Sequence, residues 1–86
     1  MASIQDVVNA AYRISDGAKQ VRERSEVCAS TLERHAATLT ALVRGSRSGE
    51  EAATEVHAAS RAVRECMARM VALQSKVDAF VHDATK

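Results

Sequence analysis

Apolar residues recur along this chain at alternating spacings of three and four, and the alternation breaks once, at Gly45-Ser46-Arg47-Ser48-Gly49. Before the break the row runs Ile4, Val7, Ala11, Ile14, Ala18, Val21, Ser25, Cys28, Leu32, His35, Leu39, Leu42; after it, Ala52, Val56, Ala59, Val63, Cys66, Met70, Leu73, Val77, Phe80, Ala84. A sustained 3–4 alternation keeps one stripe facing a partner along the length of a helix, which is the coiled-coil signature. Composition agrees. The 86 residues include no proline, three glycines and seventeen alanines, with aromatics at 2%, a mixture that suits helices and lacks what strands and their turns require. With 47% hydrophobic and 27% charged residues, the chain has a folding composition.

These signals predict an all-α single domain over residues 1–86: a helix from about 4 to 44, a turn at 45–48, and a helix from about 49 to 84. Gly45 is placed for a left-handed C-terminal cap. Ser48 and Glu51 match a capping box, Glu50 and Glu51 suit the positive end of the helix dipole, and Ser3 with Asp6 is a cap for the first helix. Gly17 costs about 1 kcal/mol within a helix; since the periodicity passes through it unchanged, the helix reads as continuous, with a kink as the rival.

A chain folding back at Arg47 brings residues equidistant from it to one level. Leu42 then meets Ala52, His35 meets Ala59, Cys28 meets Cys66, Val21 meets Leu73 and Ile14 meets Phe80. The expected antiparallel seam is carried by Val21, Leu32, His35, Leu39, Val63, Met70, Leu73 and Phe80. Cys28 and Cys66 sharing a level makes them a candidate disulfide pair, since bridged Cα atoms lie about 4.4–6.8 Å apart; the alternative is two buried free thiols. Beside the seam, Val8, Ala29, Ala36 and Val43, with Ala53, Met67, Val71 and Val81, widen the apolar stripe. Of these, Val8, Val43, Met67 and Val71 are expected to form a flanking dimer face. A two-helix hairpin buries little core alone, so pairing with a second hairpin into a four-helix bundle is expected.

No residue pattern points to chemistry. His35 sits among aliphatics and reads as a core histidine; His57 and His82 fall on outer positions. His35 lies two turns, roughly 10 Å, from Cys28, too far to share a zinc ion with both cysteines. Nucleophile, base and orienting groups fall on different faces, and Gly45–Gly49 is not followed by the Lys-Ser/Thr of a phosphate loop. The expectation is a protein that is not an enzyme and takes no cofactor or metal. Twelve basic and eleven acidic side chains are interleaved to a net charge of +1, which gives no nucleic-acid footprint. No apolar run approaches the roughly 20 residues of a membrane span, and no basic-then-apolar leader is evident, so synthesis in the cytoplasm is expected. Tyr12-Arg13-Ile14-Ser15-Asp16 places Tyr12 and Asp16 four apart on one helical face.

The length, the two alanine-rich helices, the central turn and the stretch Gly49-Glu50-Glu51-Ala52-Ala53 followed by an apolar row ending near Phe80 resemble the Trp-x-Gly (ESX-type) helical hairpins of type VII secretion. The resemblance covers nearly the whole chain and implies an antiparallel hairpin that pairs with itself or a homologous hairpin, beside a larger effector protein, and that is a candidate for export. The turn departs from that family in having no tryptophan, so the chain resembles a Trp-less member, partner or effector-associated adapter. The family's Tyr-x-x-x-Asp/Glu export signal follows its second helix, whereas the match here, Tyr12 with Asp16, lies in the first. Competing readings are a type III secretion hairpin or needle chaperone, although the proline-bearing turn of needle subunits is absent, and a plain coiled-coil oligomerisation module.

Overall fold

The structure is a computed structural model and describes residues 2–86. Two helices make up the fold: α1, Ile4–Leu42, and α2, Arg47–Ala84. They pack antiparallel as an extended hairpin measuring 62 × 19 × 14 Å. Its radius of gyration, 19.1 Å, far exceeds the ~12 Å of a compact domain of this length. All packing is therefore between one helix and the other.

α1 opens with a reciprocal capping box. Ser3 Oγ accepts from the Asp6 amide at 3.1 Å, and the Asp6 carboxylate accepts from the Ser3 amide at 3.2 Å. The helix continues through Gly17 without interruption. It ends at Leu42, two residues earlier than the sequence suggests, with the Val43 amide bonded to the Leu39 carbonyl at 3.0 Å. Gly45 takes φ +84°, the left-handed conformation that glycine adopts without a Cβ penalty.

The start of α2 also differs from expectation. Its capping residue is Ser46 and not Ser48: the Gly49 amide donates to Ser46 Oγ at 3.3 Å, and Ser48 lies within the first helical turn. The Ser46 amide is already tied to the Val43 carbonyl at 3.0 Å, and Glu50 reaches back to accept from the Gly45 amide at 3.4 Å. These bonds complete the reversal before Ser48 is reached, leaving Glu51 to pair with Arg47 at 3.4 Å.

The seam between the helices is a regular 3–4 row, but its phase differs from the expected one. On α1 the inward residues are Val8, Ser15, Arg22, Ala29, Ala36 and Val43 in one file (position a), and Ala11, Ala18, Ser25, Leu32 and Leu39 in the other (position d). On α2 they are Ala53, Ser60, Met67, Gln74 and Val81 at a, and Val56, Val63, Met70, Val77 and Ala84 at d. Every one of these is buried or half-buried. The d file was expected in the seam. The a file was expected on the flank, and the file expected in its place, one residue earlier at position g, lies outside. Val8, Val43 and Met67 thus belong to the hairpin's own interior, whereas Val71 is exposed on the opposite edge.

The physical reason is side-chain size. The buried set is Val8, Ala11, Ala18, Ala29, Ala36, Ala53 and Ser60, so among the described residues nothing larger than valine is buried. The two helices gain most contact with each other by approaching closely, and small residues on the facing files permit that approach. Bulky side chains turned inward at the g file would hold the helices apart.

Candidate interaction surface

The rotated phase leaves the g file facing out. On α1 it comprises Val7, Ile14, Val21, Cys28, His35 and Leu42, and on α2 Ala52, Ala59, Cys66, Leu73 and Phe80. In an antiparallel pair the two g files flank the same side of the seam. Val7, Ala11, Ile14, Val77 and Phe80 accordingly line one groove of about 300 Å³ at the end of the hairpin away from the turn. Ala10 and the aliphatic stem of Lys76 complete its walls. The large residues along this face are well exposed: Leu42 at 77%, Phe80 at 53%, Ile14 at 51%, Val21 at 41% and Leu73 at 38%.

The expected seam residues therefore divide. Leu32, Leu39, Val63 and Met70 lie between the helices, and Val21, His35, Leu73 and Phe80 stand on the outer face. Ile14 and Phe80, expected at one level, do line one groove, but from the outside of the seam. The same rotation decides the cysteines: both belong to the g file outside the seam where a bridge was expected, and both are free thiols, Cys28 exposed and Cys66 half-buried. His35 is likewise exposed and not a core histidine.

The other edge of the hairpin, at position e, is polar. Glu33 on α1 meets Arg64 on α2 in a forked pair: Arg64 Nη2 donates to Glu33 Oε2 at 2.9 Å, and Arg64 Nε donates to Glu33 Oε1. Ser60 Oγ, from the seam, also donates to Glu33 Oε1 at 3.2 Å. The Arg64 hydrogen bonds hold the Glu33 carboxyl below its usual range, and Glu33 raises Arg64 in turn. Near the turn the same edge carries a wider groove lined by Thr40, Arg44, Glu50 and His57. Tyr12 and Asp16 are both exposed, with Tyr12 on this edge. The g side of the hairpin is thus mostly apolar, with His35 its one strongly polar side chain, and the e side is mostly polar, with Tyr12 and Val71 exposed on it.

Sequence periodicity did not single out Glu33 and Arg64, or the polar seam layer in which Gln74 Nε2 donates to the Ser15 carbonyl at 3.5 Å. A usable signal was present in Ser15, Ser25, Ser60 and Gln74, whose spacing places them on one stripe with the alanines.

Among the described residues, no group of three His, Cys, Asp or Glu side chains is placed to hold a metal ion, and no helix is long and apolar enough to cross a membrane. No family model, curated protein or solved structure matches the chain.

Proposed function

We propose that this chain is a non-enzymatic interaction protein that works by laying its apolar g face against another helical hairpin to complete a four-helix bundle, as a substrate partner or effector-associated adapter of a type VII-like secretion system. One observation carries the association: a mostly apolar face, interrupted by His35, that runs from Leu42 at the turn to Phe80 at the far end, on a rod whose fully buried residues are chiefly alanines. Exposed apolar surface of that extent marks an interaction site. Support for the secretion setting comes from the hairpin architecture, its length and its resemblance to the ESX-type hairpins.

The test is export in the native host. The tagged full chain and its Leu73→Asp variant are followed in culture filtrate, with the membrane ATPase of the secretion system intact or deleted. ATPase-dependent export of the wild-type chain, lost in the variant, is the expected result. Retention of the wild-type chain in the cells in both backgrounds overturns the secretion setting.

A further inference from the structure

We infer that the occupant of the g face is a second copy of this chain, docked with its turn toward the first copy's open end, on a two-fold axis at the level of Cys28 and Cys66. The inference rests on the bundle reading above and names its partner.

Area is the first argument. The hairpin exposes 6380 Å², whereas a compact monomer of 9.2 kDa exposes about 4,900 Å². The surplus, roughly 1,500 Å² per chain, exceeds the ~800 Å² each partner buries in a standard interface and falls in the range of obligate homodimers.

Shape is the second. The face grades from large residues at the open end to small ones near the turn on α2: Phe80 and Leu73, then Cys66, then Ala59 and Ala52. Phe80 and Ala52 are equidistant from Cys66, as are Leu73 and Ala59. A two-fold axis at Cys66 therefore lays each bulky residue on the partner copy's alanine, as interdigitating layers require. On α1, Leu42 and Ile14 are equidistant from Cys28. The same axis delivers Leu42, the most exposed large apolar residue, to the groove beside Ile14 and Phe80 of the other copy. Because the interface is isologous, this contact is made twice.

Charge is the third. At the rim, Glu55 and Lys76 lie on opposite sides of Cys66 at nearly equal distances, and both are exposed. Among the described residues the ion pairs are Arg47–Glu51 and Glu33–Arg64, so neither Glu55 nor Lys76 is engaged within the hairpin. The antiparallel arrangement brings Glu55 of each copy to Lys76 of the other. A net charge of +1 offers little self-repulsion.

The experiment combines sedimentation equilibrium with spin-label distances on the full chain. The wild type is expected to be a dimer at low micromolar concentration, and Phe80→Asp to weaken association by at least ~30-fold, the effect of losing a buried aromatic anchor in each copy, with helicity retained because Phe80 lies outside the seam. Glu55→Lys is expected to weaken it more mildly, and the double variant Glu55→Lys with Lys76→Glu to restore it. In Cys66→Ser, a label on Cys28 should report an intermolecular distance under about 20 Å. A label introduced by Ser48→Cys in a cysteine-free background should report about 50 Å, set by the helical rise over the levels separating it from the axis. A chain that stays a monomer at 100 μM overturns the inference, while the export test addresses the broader reading separately. A dimer with short Ser48 distances, or one indifferent to Phe80→Asp, overturns the proposed arrangement.

Discussion

Gly49 packs against Val43 across the turn so closely that a β-carbon at residue 49 would lie 2.5 Å from the valine Cβ. Gly49 sits in the first turn of α2 and Val43 caps α1, so both contacting atoms belong to rigid elements. Gly49→Ala is expected to destabilise the hairpin by about 1–3 kcal/mol, the usual cost of overpacking. Gly17 is the internal contrast. Nothing lies within 4 Å of a β-carbon built there, so Gly17→Ala should stabilise by about 1 kcal/mol through helix propensity. Thermal unfolding followed by circular dichroism should move the two variants in opposite directions.

The phase of the seam can be read by changing neighbours. Ala29 is fully buried and Cys28, beside it, is exposed. Ala29→Leu should cost about 1–3 kcal/mol by forcing the helices apart, whereas Cys28→Leu should leave hairpin stability within about 0.5 kcal/mol. Denaturant unfolding of both variants measures the difference. Equal effects would place the seam midway between the two files. Similarly, Leu32→Asp should abolish helicity, and Leu73→Asp should leave it intact.

Gln74 Oε1 is buried without a hydrogen-bond partner, and the amide's other contact, to the Ser15 carbonyl, is long at 3.5 Å. Replacing such a group by an apolar one of similar size removes a desolvation cost. Gln74→Leu is therefore expected to stabilise by about 1–2 kcal/mol, seen as a higher urea midpoint with unchanged slope. Loss of stability would mean that Oε1 is satisfied by water in solution.

The Glu33–Arg64 pair makes a modest acid-sensitive contribution. Glu33 has a folded pKa below its ordinary value of 4.5, chiefly through the hydrogen bonds from Arg64. A carboxyl lowered on folding adds stability that is fully present above its unfolded pKa and lost as pH falls through the folded one. Glu33→Gln should thus melt slightly below the wild type at pH 7, and the gap should close on the acid side of pH 4.5. Both side chains are nearly half exposed, so the gap should also shrink in 1 M salt. A gap that persists at low pH would assign the effect to packing and not to charge.

Much of the fold was legible in the sequence because its signals are local. Gly45 with its flanking serines can only be a reversal, Ser3 and Asp6 form the cap they suggest, and the 3–4 spacing fixes two helices. The phase was not legible, because the stripe is three files wide and holds two regular seams that share the d file. Choosing by hydrophobicity favours Ile14, Val21, Leu73 and Phe80. Close approach of two helices favours Ala29, Ala36, Ala53 and Ser60, a preference set by side-chain size that leaves no mark on spacing. The same ambiguity hid the outer face and the free cysteines. Ser46 was missed for a smaller reason: two serines in five residues could each cap α2, and the backbone bond to Val43 selects the earlier.

The joining of α1 and α2 only at the turn sets the order in which this molecule comes together. Pairings next to Gly45 close the shortest loops and cost the least chain entropy, so the hairpin is expected to zip from Val43 and Gly49 outward. Val8, Val77 and Val81, farthest from that start, are expected to be secured last and to open first, which amide exchange would show as the lowest protection. The groove around Ile14 and Phe80 belongs to this late-closing end. A partner that fills it also clamps the free ends of the rod, so the final step of folding and the first step of assembly become a single event.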